Sequence, residues 1–465
     1  MSISISGAVN NLQFKTDTLE LEFVKQNAFI EVLRISSFRN LWLSQLLSQV
    51  FLNLLVFSLL IRIYGLTGSN TAVSVMVLTV SVPNFVLGAV AGVFVDRWDR
   101  KLVMFLAHFL RVFAVLAFLL SSESLLWLYG LSILISLVTQ FFQPAEAAMI
   151  GVLIKDKTKL LTAMSLFSLT LFSSVILGNV LAGPSVRLLG HDGTFLLVAL
   201  AFGLAAVFTA QVPGESIRDR LWAVRITLKL RRWLRRDQEE RTGAEPAAKE
   251  EGSVFEGFLE GLDYLHRHDG VRNAIYLMVV AQVIIGVLGT IAPGFGHQIL
   301  GLEAADVSLV IMAPAAFGMI LGAMVLGQYF TRSHRPGLVK FGLVSAACLL
   351  LVFSFIDKSA QISHLPVVPL AVALLLILGF CNAFLDIPVN TTIQEKTPEE
   401  VRSRVYGVLS TLTGGASILP ILLAGALADL FGVRVVMAIL GLFLLGVAVY
   451  YRRVVLDGRN VAENF

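Results

Sequence analysis

Long apolar stretches recur along this chain, each about the roughly 20 residues a helix needs to cross a bilayer. They lie near 41–64, 71–95, 102–120, 125–150, 160–187, 193–212, 273–300, 307–330, 337–356, 366–391, 403–430 and 432–451, about twelve in all. Of 465 residues, 56% are hydrophobic and only 15% charged, against about 25% charged in an ordinary soluble protein. A mean hydropathy of +0.81 is more than one water-soluble core hides, because single cores stop growing at about 250–300 residues. Lipid is therefore the expected solvent. Strands fit poorly, since the runs are about twice the length a barrel strand needs and lack sustained alternation. The expected fold class is an all-α membrane protein of about 12 transmembrane helices.

Very short connectors, such as Ser121-Ser122-Glu123-Ser124 and Phe431-Gly432, make neighbouring spans antiparallel hairpins. Positive charge then sets direction. With the N-terminus inside, Lys15, Lys25, Arg34, Arg39, Arg97, Arg100, Lys101, Lys155, Lys157 and Lys159 fall on the cytoplasmic side. Arg332, Arg335, Lys396, Arg402, Arg404, Arg452 and Arg453 join them, while Arg62, Arg187, Lys358 and Arg434 fall on the other side. The expectation is a multi-pass protein of the cell membrane with both termini cytoplasmic. The net charge of +4 follows from this loop asymmetry, so nucleic acid is not an expected partner. Residues 1–39 lack the basic, apolar, small-residue order of a cleaved signal peptide. Cys348 and Cys381 lie in apolar stretches and suggest no disulfide framework.

A polar stretch at 214–272 divides the spans six and six. The expected organisation is a cytoplasmic segment 1–39, a six-helix bundle 40–213, a linker 214–272, a second bundle 273–451 and a tail 452–465. Within the linker, Arg218 to Arg236 mixes basic residues with Leu221, Trp222, Leu230, Trp233 and Leu234, a composition that suits an anionic leaflet. Glu239 to Gly252 reads as a flexible segment. After a capping box at Ser253 and Glu256, Phe255, Phe258, Leu259, Leu262 and Leu265 share one helical face.

The halves echo one another. Gly92-Val-Phe-Val-Asp96-Arg97-Trp-Asp-Arg100-Lys101 follows the second span, and Gly327-Gln-Tyr-Phe-Thr331-Arg332-Ser-His-Arg335 follows the eighth. Pro144-Ala-Glu146 closes the fourth span and Pro388-Val-Asn390 the tenth. Such duplication marks transporters whose substrate site lies between the repeats.

The run Gly88-x3-Gly92-x3-Asp96-Arg97-x2-Arg100-Lys101 resembles the signature of the major facilitator superfamily between its second and third helices. Leu66-Thr67-Gly68-Ser69, Arg111, Pro144-Ala145 and Glu260-Gly261-Leu262-Asp-Tyr264-Leu265 are similar to the drug and siderophore exporter branch, which includes macrolide and enterobactin exporters. Gln394-x2-Thr397-Pro398 and Arg402-Ser403-Arg404-Val405 are similar as well, and the likeness runs from Phe38 to Arg452. Phe51-Leu52-Asn53 stands where many branch relatives carry Gly-Asp. Gly178 and Gly183-Pro184 are similar to the antiporter signature of the fifth helix, but Arg187-Leu188 replaces further glycines.

The resemblance implies two pseudo-symmetric six-helix bundles working by alternating access. It also implies a conformational latch at Gly88, Gly92, Asp96, Arg97 and Arg100, with the acid approaching the cytoplasmic N-terminus of the eleventh span. Such an end carries about half a positive charge. The plainer alternative is a cluster of topology-setting charges.

Candidate cavity residues are few. Gln45, Ser48, Gln49 and Asn53 share one helical face, and unpaired amides are costly in lipid, so this face turns inward. It either lines a cavity or bonds neighbouring helices. Asn84, Gln140, Gln143, Asn179, Gln282 and Asn382 are further polar candidates, and Arg111, one turn after His108, is a charged one. Glu146 and Asp386 are the candidate proton carriers, since desolvation raises a carboxyl toward neutrality; pairing of Arg111 with a neighbouring carboxylate is the structural alternative. Neither His-Glu-x-x-His nor a phosphate-cradling Gly-rich loop occurs, so no catalytic residue, metal site or cofactor is expected. His297 with Glu303 and Asp306 reads as a solvated loop rather than a metal site.

The sequence thus points to a secondary transporter, expected to be monomeric, proton-coupled and exporting a small amphipathic solute such as a drug, siderophore or peptide. A lysophospholipid flippase or an importer shares the same fold expectations. From another class, a non-transporting sensor or scaffold would use the linker to bind a partner.

Overall fold

The computed structural model describes residues 29–95, 98–120, 123–214, 254–303, 305–329, 335–356 and 367–462. In the first half, α1 spans Ser36–Thr67, α2 Asn70–Val95, α3 Arg100–Ala117 and α4 Leu125–Leu153. Lys157–Ala210 is a 54-residue helical run broken at Gly190, whose φ of 71° and ψ of −179° are non-helical. Only glycine takes that conformation without strain. The limbs 157–189 and 191–210 are α5 and α6. A straight helix of that length would reach about 80 Å, more than twice a bilayer core.

In the second half, α7 covers Val254–Arg267, α8 Asp269–Gln298, α9 Ala313–Tyr329, α10 Arg335–Phe355, α11 Val367–Lys396, α12 Glu399–Phe431 and α13 Val433–Ala462. A wide turn at Ser308–Met312 leads into α9. Among the described residues eleven helices are long and apolar enough to span a membrane; with the break at Gly190, they make twelve crossings.

The cores explain how the halves sit together. At the end carrying the 66–71 and 429–433 turns, here the far end, one apolar cluster takes residues from both halves: Leu59, Ile63, Phe118 and Phe195 with Ile291, Phe295, Ala428 and Val433. At the opposite end, which bears Arg100, Lys101, Lys159, Arg402 and Arg404, each half keeps its own cluster. Phe38, Met104, Phe142 and Met149 form one, and Val271, Leu343, Ile393 and Val405 form the other. The halves are therefore joined at the far end and separate at the basic end.

The linker helix α7 buries Leu265 in the second-half cluster. Glu260 on α7 pairs with Arg404 on α12, and the Tyr264 hydroxyl donates to the Lys396 carbonyl at 3.0 Å. Residues 1–28, Ser253 and the linker segments from Arg218 to Arg236 and from Glu239 to Gly252 lie outside the described residues.

Candidate functional site

A cavity of about 380 Å³ lies between the halves, walled by α2, α8 and α12. Helical spacing sets the lining: Val77, Ser81 and Asn84 on α2; Met278, Gln282 and Gly286 on α8; Leu409, Ser410, Thr413, Gly414, Ser417 and Ile421 on α12. Residues three or four apart share a helix face, so each helix presents one stripe. The stripes carry hydroxyls, amides, a thioether and aliphatic carbon, and no charged side chain. A wall of this kind orients a solute by hydrogen bonds and covers its apolar surface. It offers no counter-ion.

The expected cavity residues divide into two groups. Asn84 and Gln282, about 200 positions apart in sequence, are brought onto the same cavity. The face of α1 is used differently. Gln45 is fully buried and donates through Nε2 to the Phe167 carbonyl on α5 at 3.2 Å. Asn53 donates to the Gln49 carbonyl at 2.8 Å and lies against Gly178 of α5, where a Cβ would sit 2.6 Å from its own. Gln45 thus bonds two helices of the first half and Asn53 bonds its own helix; neither walls the cavity between the halves. Where α1 meets α5 a backbone carbonyl comes within reach of Gln45, and its amide takes it.

Arg111 is also fully buried. Its Nη1 donates to Ser48 Oγ and its Nη2 to Thr139 Oγ1, both at 2.9 Å. The guanidinium carbon lies 4.5 Å from the Phe142 ring centroid and 5.6 Å from that of Phe202, a cation–π setting. His108 Nε2 shares a 3.0 Å hydrogen bond with Ser44 Oγ. Glu146 is 1% exposed and interacts electrostatically with Arg111, yet its Oε1 has no hydrogen-bond partner. The Arg111 Nε, the Gln49 Nε2, the Gln45 Oε1 and the His108 Nδ1 are likewise unpartnered. Buried polar groups are normally satisfied, so this cluster is under-bonded for its charge.

The other candidates are scattered. Gln140 is buried and Gln143 exposed, while Asn179 is half-buried. Asn382 donates to Met319 Sδ at 3.5 Å, and half-buried Asp386 leaves Oδ1 unpartnered. In the expected latch, Asp96 and Arg97 lie outside the described residues, as do the side-chain surroundings of Gly88 and Gly92. Arg100 opens α3 behind Asp99, which accepts from the Leu102 N–H at 3.0 Å.

The polar contacts joining the halves gather at the far end. Arg187 Nη1 meets Asp306 Oδ1 at 2.6 Å, so the arginine that departs from the antiporter pattern has a partner in the other half. Pro184 has no N–H to offer the Val180 carbonyl, four residues before it. Ser308 Oγ donates to that carbonyl at 3.3 Å and accepts from the Gly183 N–H at 2.7 Å. A Cβ on Gly183 would sit 2.0 Å from the Ala305 carbonyl oxygen, which requires glycine at this crossing. Asp429 closes the opposite wall against Ser69, Asn70 and Thr71.

Sequence reasoning missed Ser81, Ser410, Thr413, Ser417 and Asp429. The hydroxyls at 410, 413 and 417 do fall at helical spacing on α12, a readable stripe. Nothing in the sequence pairs Asp429 with residues about 360 positions earlier.

The chain matches the Major Facilitator Superfamily over residues 41–420. It is 24% identical over 400 residues to the multidrug efflux pump Tap of Mycolicibacterium fortuitum, covering 83% of this chain and 88% of that one. To macrolide efflux protein A of Streptococcus pyogenes it is 21% identical over 404 residues, covering 85% and 90%. An uncharacterized MFS-type transporter of Bacillus subtilis (strain 168), YfiS, is 25% identical over 404 residues, covering 86% and 88%. Among solved structures, a D323A mutant of the nucleoside transporter NupG superimposes with a TM-score of 0.67 at 12% identity, covering 90% of this chain and 99% of that one. That likeness is one of fold.

Proposed function

Because the chain belongs to the Major Facilitator Superfamily, we propose that this transporter exports a small, uncharged or weakly charged amphipathic solute by alternating access. The observation that carries the reading is the cavity wall: hydroxyl, amide and aliphatic groups without a formal charge, between halves fused at one end only. The efflux relatives support the direction. The excess of basic residues at the separated end supports its placement in the cytoplasm of a cell-membrane protein, so the cavity opens inward. Solute enters from the cytoplasm and is released when the far end parts.

Protons supply the driving force in this proposal, with Glu146 as carrier. A carboxylate held near Arg111 with its Oε1 unpartnered changes the balance of a buried cluster when it gains a proton. The latch at Asp96 then acts at the cytoplasmic end in the alternate state, as the family resemblance implies.

The test is a deletion strain exposed to a panel of neutral, cationic and anionic compounds, with and without a protonophore. Accumulation confined to neutral or weakly charged compounds, abolished in the complemented strain and restored by the protonophore, is the expected result. Selective accumulation of strongly charged solutes would refute the substrate class. Transport that stays proton-coupled in Glu146→Gln would refute the carrier.

A further inference from the structure

We propose that Asp429 is the gate residue of the far end: a carboxylate of the second half that caps α2 of the first half only while that end is shut. The argument begins with helix electrostatics. Asp429 lies in the last turn of α12, where the carbonyl ends of the helix give a partial negative charge that repels a carboxylate. Its own helix therefore offers it nothing. The first turn of α2 presents the opposite: amide N–H groups with no partner inside the helix and a partial positive charge.

The geometry joins the two. Asp429 Oδ1 accepts from the Asn70 N–H at 2.7 Å and from Asn70 Nδ2 at 3.0 Å. Oδ2 accepts from the Thr71 N–H at 2.9 Å, from Thr71 Oγ1 at 2.7 Å and from Ser69 Oγ at 2.6 Å. Five donors thus converge on one carboxylate, two of them backbone groups that α2 cannot satisfy itself. Ser69 Oγ takes the next amide, Ala72, at 3.2 Å, so the first turn is fully accounted for by one local cap and one cap from the other half.

Immediately below, the helices touch. Ser74 Oγ on α2 donates to the Ile421 carbonyl on α12 at 3.0 Å, and a Cβ on Gly425 would sit 2.0 Å from Ser74 Oγ. Parting the halves at this end must break all these bonds at once. It leaves the carboxylate beside the unfavourable end of its own helix. The cap is therefore a contact of one state, and its strength sets how often the far end opens.

The gate rests on the alternating-access reading above, and the test separates the two. Thr413→Cys, on the cavity wall, is placed in a chain whose Cys348 and Cys381 are replaced by serine. It is labelled with a membrane-impermeant maleimide in right-side-out and in inverted vesicles. With native Asp429, labelling proceeds from one face only. If that face is the outer one, the orientation proposed above fails while the gate remains testable, because the readout is the face that the native residue keeps closed. Adding Asp429→Asn, which keeps the shape and removes the charge, raises labelling from the closed face about fivefold. Unchanged labelling from that face overturns the gate. Should the variant be lost from the membrane, Ser69→Ala with Thr71→Ala keeps the acid and both amides and removes two hydroxyl donors. A rise of about twofold then supports the gate, and no rise overturns it.

Discussion

At the far end the two halves share one apolar core, whereas at the basic end each half keeps its own. The shared end is not a stronger version of the separate end. Its apolar contacts are laid over two narrow helix crossings, α2 with α12 and α5 with Pro184 against the turn before α9, where small residues let backbones meet. Small residues at such crossings suit contacts driven by packing and hydrogen bonds in lipid. The separate cores at the basic end are smaller and internal to each half, the first carrying Phe38, Phe142 and Phe167 and the second mainly aliphatic. Arg111 packs between Phe142 of the first-half core and Phe202 of the shared one. The difference teaches which surfaces alternating access would have to separate. On the alternating-access proposal, each half moves as a unit around its own basic-end core, and the far-end seam is the part that must open.

This comparison can be broken in order of effect. Arg111→Ala strands Glu146 and removes the donors to Ser48 and Thr139, so it should cost about 3–5 kcal/mol of stability. Thermal unfolding in detergent should show a large fall, and a variant as stable as wild type would mean that the first-half unit does not depend on its buried cluster. Gly183→Val drives a side chain into the Ala305 carbonyl. The protein should fold, because each half is left intact, but far-end closure should fail and transport drop more than about tenfold. Full transport in that variant would show that the seam tolerates a gap.

Smaller effects sharpen the picture. Gln282→Ala and Asn84→Ala each remove a hydrogen-bonding group from the neutral wall; KM should rise about five- to tenfold with kcat little changed. A loss in kcat alone would place these residues in the seam's motion rather than in solute binding. Arg187→Ala breaks the exposed pair with Asp306, 66% exposed on the arginine side. Exposed pairs contribute about 0–1 kcal/mol, so far-end labelling should rise by less than about fivefold and diminish further in high salt.

Much of this was legible beforehand because lipid leaves so few options. Apolar length gives the crossings, and backbone hydrogen bonding in hydrocarbon forces helices. The break at Gly190 was legible as the polar gap between two apolar stretches, even though the helical run continues almost through it. The candidate site was less legible. A polar residue in a span announces only that it avoids lipid. Gln45 satisfies that demand against a neighbouring helix and Asn53 against its own, while Asn84 and Gln282 face the cavity, and the four look alike in a sequence window. Arg187 read as a defect in a glycine pattern; across the seam it meets Asp306.

The sequence by itself determined the medium, the approximate number of crossings, the helical fold and the family. These follow from properties summed over many residues, so no single side chain can upset them. The tertiary structure alone decided which polar groups are consumed inside a half, which line the cavity and which hold the halves together. Those assignments depend on a few ångströms between helices far apart in the chain, and one helix face carries no mark of what will be packed against it.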